Sequence, residues 1–242
     1  MKHKVFQMIR SMDGEDIQLQ LAMQCAPLIA GLKMSNLLII PRESLPALRE
    51  ILEGSDIAHA LLLEKGMKAT LLLYCRNQLQ QYLARPQILD FLRGQGYDDC
   101  SLEWFLASLR IRYRNHMEKA GPFPHEMGIA LGYPLEDVEG FIRNSGEHFL
   151  YSGYWKVYGN LPEKLRLFRY YENAREHLVQ LVFGGRHMSE IIARYGNSRK
   201  RAPDDTALAE CEALFDTLFA EVILLIIDYH APELFDRQSF SF

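Results

Sequence analysis

Two short apolar runs, NLLII at 36–40 and ATLLLYC at 69–75, most constrain what this chain can fold into. A compact apolar run closed by a breaker, as Pro41 closes the first, reads as a strand buried on both faces. A third stretch, GYWKVYG at 153–159, alternates and is aromatic, and predicts a third strand. Helical spacing of apolar residues fills most of the rest. It predicts helices over 15–30, 44–53, 77–84, 86–93, 101–119 and 162–182, with two short ones around the Gly-Tyr-Pro turn at 132–134. The expected fold is α+β: a small sheet of three or more strands covered by helices, followed by a mainly helical C-terminal extension.

Gly184-Gly185 marks the boundary between a core domain over 1–183 and that extension over 184–242, which has a polar linker at about 196–205. The extension holds 6 basic and 10 acidic residues and so carries the net charge of −4 of the whole chain. Its long helix, expected over 205–229, places Leu208, Cys211, Phe215, Leu218, Val222, Leu225 and Tyr229 at alternating spacings of three and four. Leu214, Phe219, Ile223 and Ile226 widen that seam into a broad stripe. Such a stripe docks onto its own domain, pairs with a second copy as a homodimer, or serves an adaptor as its interaction surface.

A net charge of −4 gives no global attraction to nucleic acid or to an anionic membrane. The beginning, MKHKVFQMIRSMDGED, lacks the apolar stretch of a signal peptide. The longest apolar run, VILLII at 222–227, is flanked by Glu221 and Asp228 and falls short of a membrane span. The expected location is the cytoplasm. Cys25, Cys75, Cys100 and Cys211 form no C-x-x-C pair, so neither a metal site nor a dithiol redox motif is expected.

The run PHEMGIALGYPLEDVEGFI at 124–142 admits two readings. Two helices around a short turn have the layout of a DNA reader. However, the leading end of the second helix carries Glu136, Asp137 and Glu139, which phosphates would repel, so nucleic-acid binding is not expected. Those acids suit a helix N-terminus. Alternatively, Pro124 puts His125 and Glu126 in a helical first turn. There the helix dipole keeps the imidazole neutral and the carboxylate ionised, a pairing fit for proton transfer. The same two residues serve equally as a cap and a helix-start charge. On a strand at 153–159, Tyr154, Lys156 and Tyr158 would share one face, a cation between two phenols suited to an anionic or aromatic ligand. In CAPLIAGLK, Lys33 lies near Cys25 and would lower its thiol pKa; the alternative is a small core residue.

CAPLIAGLK, TLLLYCRNQLQQYLARPQILDFLRGQGY, FPHEMGIALGYPLEDVEGFI, SGYWKVYGN and FRYYENARE occur in that order. Together they resemble the bacterial family catalogued as domain of unknown function three-seven-nine-three, over about 20–182. The resemblance brings no activity, cofactor or catalytic residue. It implies that the 124–142 run and GYWKVY belong together. It also implies a Cys just before GYWKVY, where this chain has Ser152.

The function expected is binding of a small anionic or redox-related ligand, in a cleft between the 124–132 helix start and the 153–159 strand. The ligand contacts would be Cys25, Lys33, Tyr154, Lys156 and Tyr158. The alternatives are an enzyme using His125 and Glu126, and an adaptor acting through 205–229.

Overall fold

The computed structural model describes residues 3–199; expectations for 205–229 lie outside the described residues. Its centre is a three-stranded antiparallel sheet of β1 (Ser35–Pro41), β2 (Ile57–Lys65) and β3 (Lys68–Cys75), in the order β1-β3-β2. The central strand β3 is ATLLLYC preceded by Lys68, and all its residues after Lys68 are buried. Alternation then divides its side chains between two cores. Ala69, Leu71, Leu73 and Cys75 face one side, and Leu72 and Tyr74 face the other.

Helices cover both faces. Against the first lie α1 (His3–Ser11), α2 (Ile17–Gln24), α3 (Ala26–Ile29), α4 (Leu45–Leu52) and the long α10 (Leu161–Phe183). Met188, Ile191 and Ile192 of α11 (Met188–Arg199) join the same core. Against the second lie α5 (Arg76–Leu83), α6 (Pro86–Gly94), α7 (Leu102–Lys119), α8 (Glu126–Ala130) and α9 (Leu135–Arg143). Among the described residues no helix is long and apolar enough to cross a membrane.

The third strand of the sheet is 57–65, not 153–159. The strands β2 and β3 form a hairpin closed by Gly66-Met67, with Gly66 at φ 58°. A bulge between Leu61 and Leu63 breaks the simple alternation of β2, which hid the strand from a period-two reading. GYWKVYG forms only a minimal separate hairpin, β4 (Tyr151–Ser152) with β5 (Lys156–Val157). Residues 153–155 are its turn, so Tyr154 does not share a strand face with Lys156 and Tyr158.

Among the described residues, the free edge of β1 meets side chains rather than another strand. The Gln24 amide donates to the Ile39 carbonyl at 3.0 Å and accepts from the Ile39 N–H at 2.9 Å. Asn36 Oδ1 accepts from the Leu28 N–H at 3.2 Å. These bonds block edge pairing and fasten the CAPLIAGLK segment to the sheet. Gly31, at φ 78°, ends α3 in the left-handed conformation that reverses the chain and brings Lys33 inward.

Candidate functional site

The two most distinctive sequence motifs are one structural unit, held together by Asp137. Its carboxylate, 2% exposed, accepts from the Trp155 indole N–H at 2.7 Å. It also accepts from the backbone N–H groups of Tyr158 at 2.7 Å and Gly159 at 3.2 Å. A carboxylate taking three N–H donors is a strong local clamp. Close packing completes the joint: a Cβ on Gly140 would lie 2.5 Å from the Tyr158 ring, and one on Gly153 would lie 2.4 Å from Phe168. Glu136, one residue earlier, pairs with the buried Lys164 of α10 at 3.0 Å. The leading end of α9 therefore bonds to the chain's own hairpin and α10.

The candidate residues fall into two groups on either part of this unit. The first surrounds Phe141. His125, just before α8, lies edge-on to Phe123 at 5.7 Å and reaches the Phe141 ring at 5.8 Å. Lys156 sits over the same ring at 5.7 Å and over Phe149 at 4.9 Å. Its ammonium donates to the Gly146 carbonyl at 2.9 Å. Burial lowers the His125 pKa against a smaller opposing effect of Glu126, so the imidazole is neutral near pH 7. Both His125 and Lys156 are half-buried, and Phe149 beside Lys156 is exposed.

Glu126 follows His125 in sequence but turns inward. It is 1% exposed, accepts from the Tyr97 hydroxyl at 3.0 Å and pairs with Arg112 at 3.2 Å. Arg112 lies over the Tyr97 ring at 4.6 Å and also donates to the Gln95 carbonyl at 2.9 Å. Burial first, and then Glu126, raises the Tyr97 pKa well above that of an ordinary phenol.

The second group is aromatic and lies along α10. Tyr133 stacks on Trp155 at 4.9 Å, and Trp155 meets Phe168 edge-on at 4.6 Å. Tyr154 packs edge-on to Tyr171 at 5.0 Å and donates to Glu172 at 3.1 Å. Lys33 is 8% exposed, with its ammonium 5.3 Å from the Tyr133 ring centre and 5.9 Å from that of Tyr171. Burial lowers its pKa to about 8, opposed by the nearby Cys25 thiol. The thiol itself is fully buried, and burial pushes its pKa far up despite Lys33. Tyr158 belongs to the Asp137 clamp, and its hydroxyl is buried without a hydrogen-bond partner among the described residues.

Sequence reasoning missed Asp137, Phe141, Arg112 and Tyr97. Asp137 had a sufficient simpler account as a helix-start charge, and only its contact with Trp155 reveals more. Neither the curated proteins nor the solved structures contain a match for the chain. A family profile does match it, over residues 21–192, and it spans both the sheet and the Asp137-clamped motifs. The chain belongs to the family described as Protein of unknown function (DUF3793).

Proposed function

We propose that the protein binds a small anionic ligand with a flat apolar body, in the cleft between the start of α8 and the 151–157 hairpin. One observation carries this reading: His125 and Lys156 address the same Phe141 ring, at 5.8 Å and 5.7 Å. An ammonium, a neutral imidazole and an aromatic surface then serve one ligand. Gly146 takes one N–H of Lys156, which leaves its other donors for an anion. The neutral imidazole offers one donor and one acceptor. The exposed Phe149 extends the apolar surface.

The acid–base alternative is weaker on geometry, because Glu126 spends its carboxylate on Tyr97 and Arg112. A redox-related ligand at Cys25 is likewise disfavoured, since the buried thiol resists ionisation. The adaptor alternative concerns 205–229, outside the described residues.

The test is thermal unfolding against a panel containing phosphate, benzoate and other aromatic carboxylates. A ligand at a hundred times its Kd adds about 2.7 kcal/mol of stability. We expect an aromatic carboxylate to raise Tm in the unaltered protein and not in Lys156→Met. His125→Ala should weaken the shift while changing ligand-free Tm little. A shift that survives Lys156→Met, or a panel that gives none, overturns the proposal.

A further inference from the structure

Two lysines are buried among the described residues, and their surroundings differ in kind. Lys164 has the Glu136 carboxylate at 3.0 Å. Among the described residues no carboxylate pairs with Lys33; the neighbours of its ammonium there are two aromatic rings and a neutral thiol. A buried ammonium without an anion is costly, and attraction to a ring recovers only about 0.5–2 kcal/mol. Burial lowers the pKa of this side chain to about 8, so roughly a tenth of it is neutral amine at pH 7, far more than in an ordinary lysine, and a neutral amine is a nucleophile.

We propose that Lys33 is a carbonyl-capturing amine, which holds a small aldehyde or ketone as an imine between the rings of Tyr133 and Tyr171. The Nζ lone pair attacks the carbonyl carbon, forming the C–N bond as the C=O π pair moves to oxygen. That oxygen gains a proton to give the carbinolamine. The C–O bond then breaks, and both amine hydrogens leave with the oxygen as water. No oxidant or reductant takes part. The titratable groups facing Lys33 are Cys25 from the start of α3, Tyr133 from the turn between α8 and α9, and Tyr171 from α10. Burial raises the pKa of both phenols, so they remain protonated and can donate to the carbonyl oxygen. The flat faces of the two rings favour a small planar carbonyl compound.

This site is separate from the one proposed around Phe141, so the two proposals succeed or fail independently. The test treats the full chain with propanal and sodium cyanoborohydride at pH 7 and maps reduced adducts by peptide mass spectrometry. The exposed Lys65, Lys68 and Lys119 serve as internal references. At that pH an ordinary lysine is almost wholly protonated, so Lys33 should label about tenfold faster than they do, or more. Tyr171→Phe should slow labelling of Lys33 and leave that of Lys68 unchanged. Labelling of Lys33 no faster than Lys68 overturns the proposal, and so does its absence. Because the mapping is made on the unaltered protein, the result does not depend on whether a Lys33 variant folds.

Discussion

The Trp155 indole donates to the buried carboxylate of Asp137 at 2.7 Å, and this contact joins the hairpin to α9. Removing the acceptor strands three N–H groups at once. We expect Asp137→Ala to cost about 3 kcal/mol or more, measured as a lowered urea midpoint at unchanged slope. Asp137→Asn keeps one acceptor oxygen and should lose roughly half as much. A loss under about 0.5 kcal/mol for Asp137→Ala would mean that water or backbone replaces the carboxylate.

Gly140 reverses an ordinary rule. Replacing a helical glycine with alanine normally gains about 1 kcal/mol. Here the added methyl would lie 2.5 Å from Cγ of Tyr158. Gly140→Ala should therefore destabilise by about 1–3 kcal/mol. In a Tyr158→Ala background the same change should become neutral or favourable. Equal costs in both backgrounds would place the clash elsewhere and refute the close approach.

The parts of the fold legible in sequence are those in which one local signal decides. NLLII and ATLLLYC are buried on both sides, so their composition alone marked them as strands. The β2 strand was missed because it lies at an edge, mixes His59 with a charged C-terminal end and contains a bulge. GYWKVYG has a strand's alternation, yet its ordering comes from Asp137, eighteen residues away from Trp155 in the chain. At the site, the resemblance correctly tied the two motifs together. Composition could not show that Glu126 turns from His125 towards Arg112, because adjacent residues on a short helix point in different directions. In the sequence Lys33 reads as a modifier of Cys25 and as a ligand contact, but burial acts on both groups, raising the pKa of the thiol and lowering that of the amine.

Glu126 tests whether that inward turn is structural. Arg112→Met leaves a buried carboxylate with only the Tyr97 hydroxyl. We expect a loss of about 2–3 kcal/mol, reduced from a fully buried pair because the Arg112 side chain is 36% exposed. Replacing Glu126 with Met as well should recover most of it, since an apolar pair avoids stranding the charge. Chemical denaturation of the two single variants and the double variant measures this directly. A double variant no more stable than Arg112→Met would show that Glu126 needs no cation.

The lowered pKa of Lys33 also has a signature in stability that involves no ligand. Its folded pKa is about 8 against an ordinary value of 10.5. Between those values the unfolded chain holds a proton that the native chain lacks, so stability rises with pH across the window. The burial penalty is complete below pH 8 and is relieved above it. Buried Cys25 acts oppositely, because its raised pKa removes stability once the unfolded thiol ionises near pH 9. The buried tyrosines do the same from about pH 10. The clean interval is therefore pH 8 to 9. There the stability of the unaltered protein relative to Lys33→Met should rise by about 1 kcal/mol, read from denaturation midpoints at each pH. A constant difference across that interval would mean that Lys33 keeps its proton in the fold, and the favoured nucleophile would be lost with it.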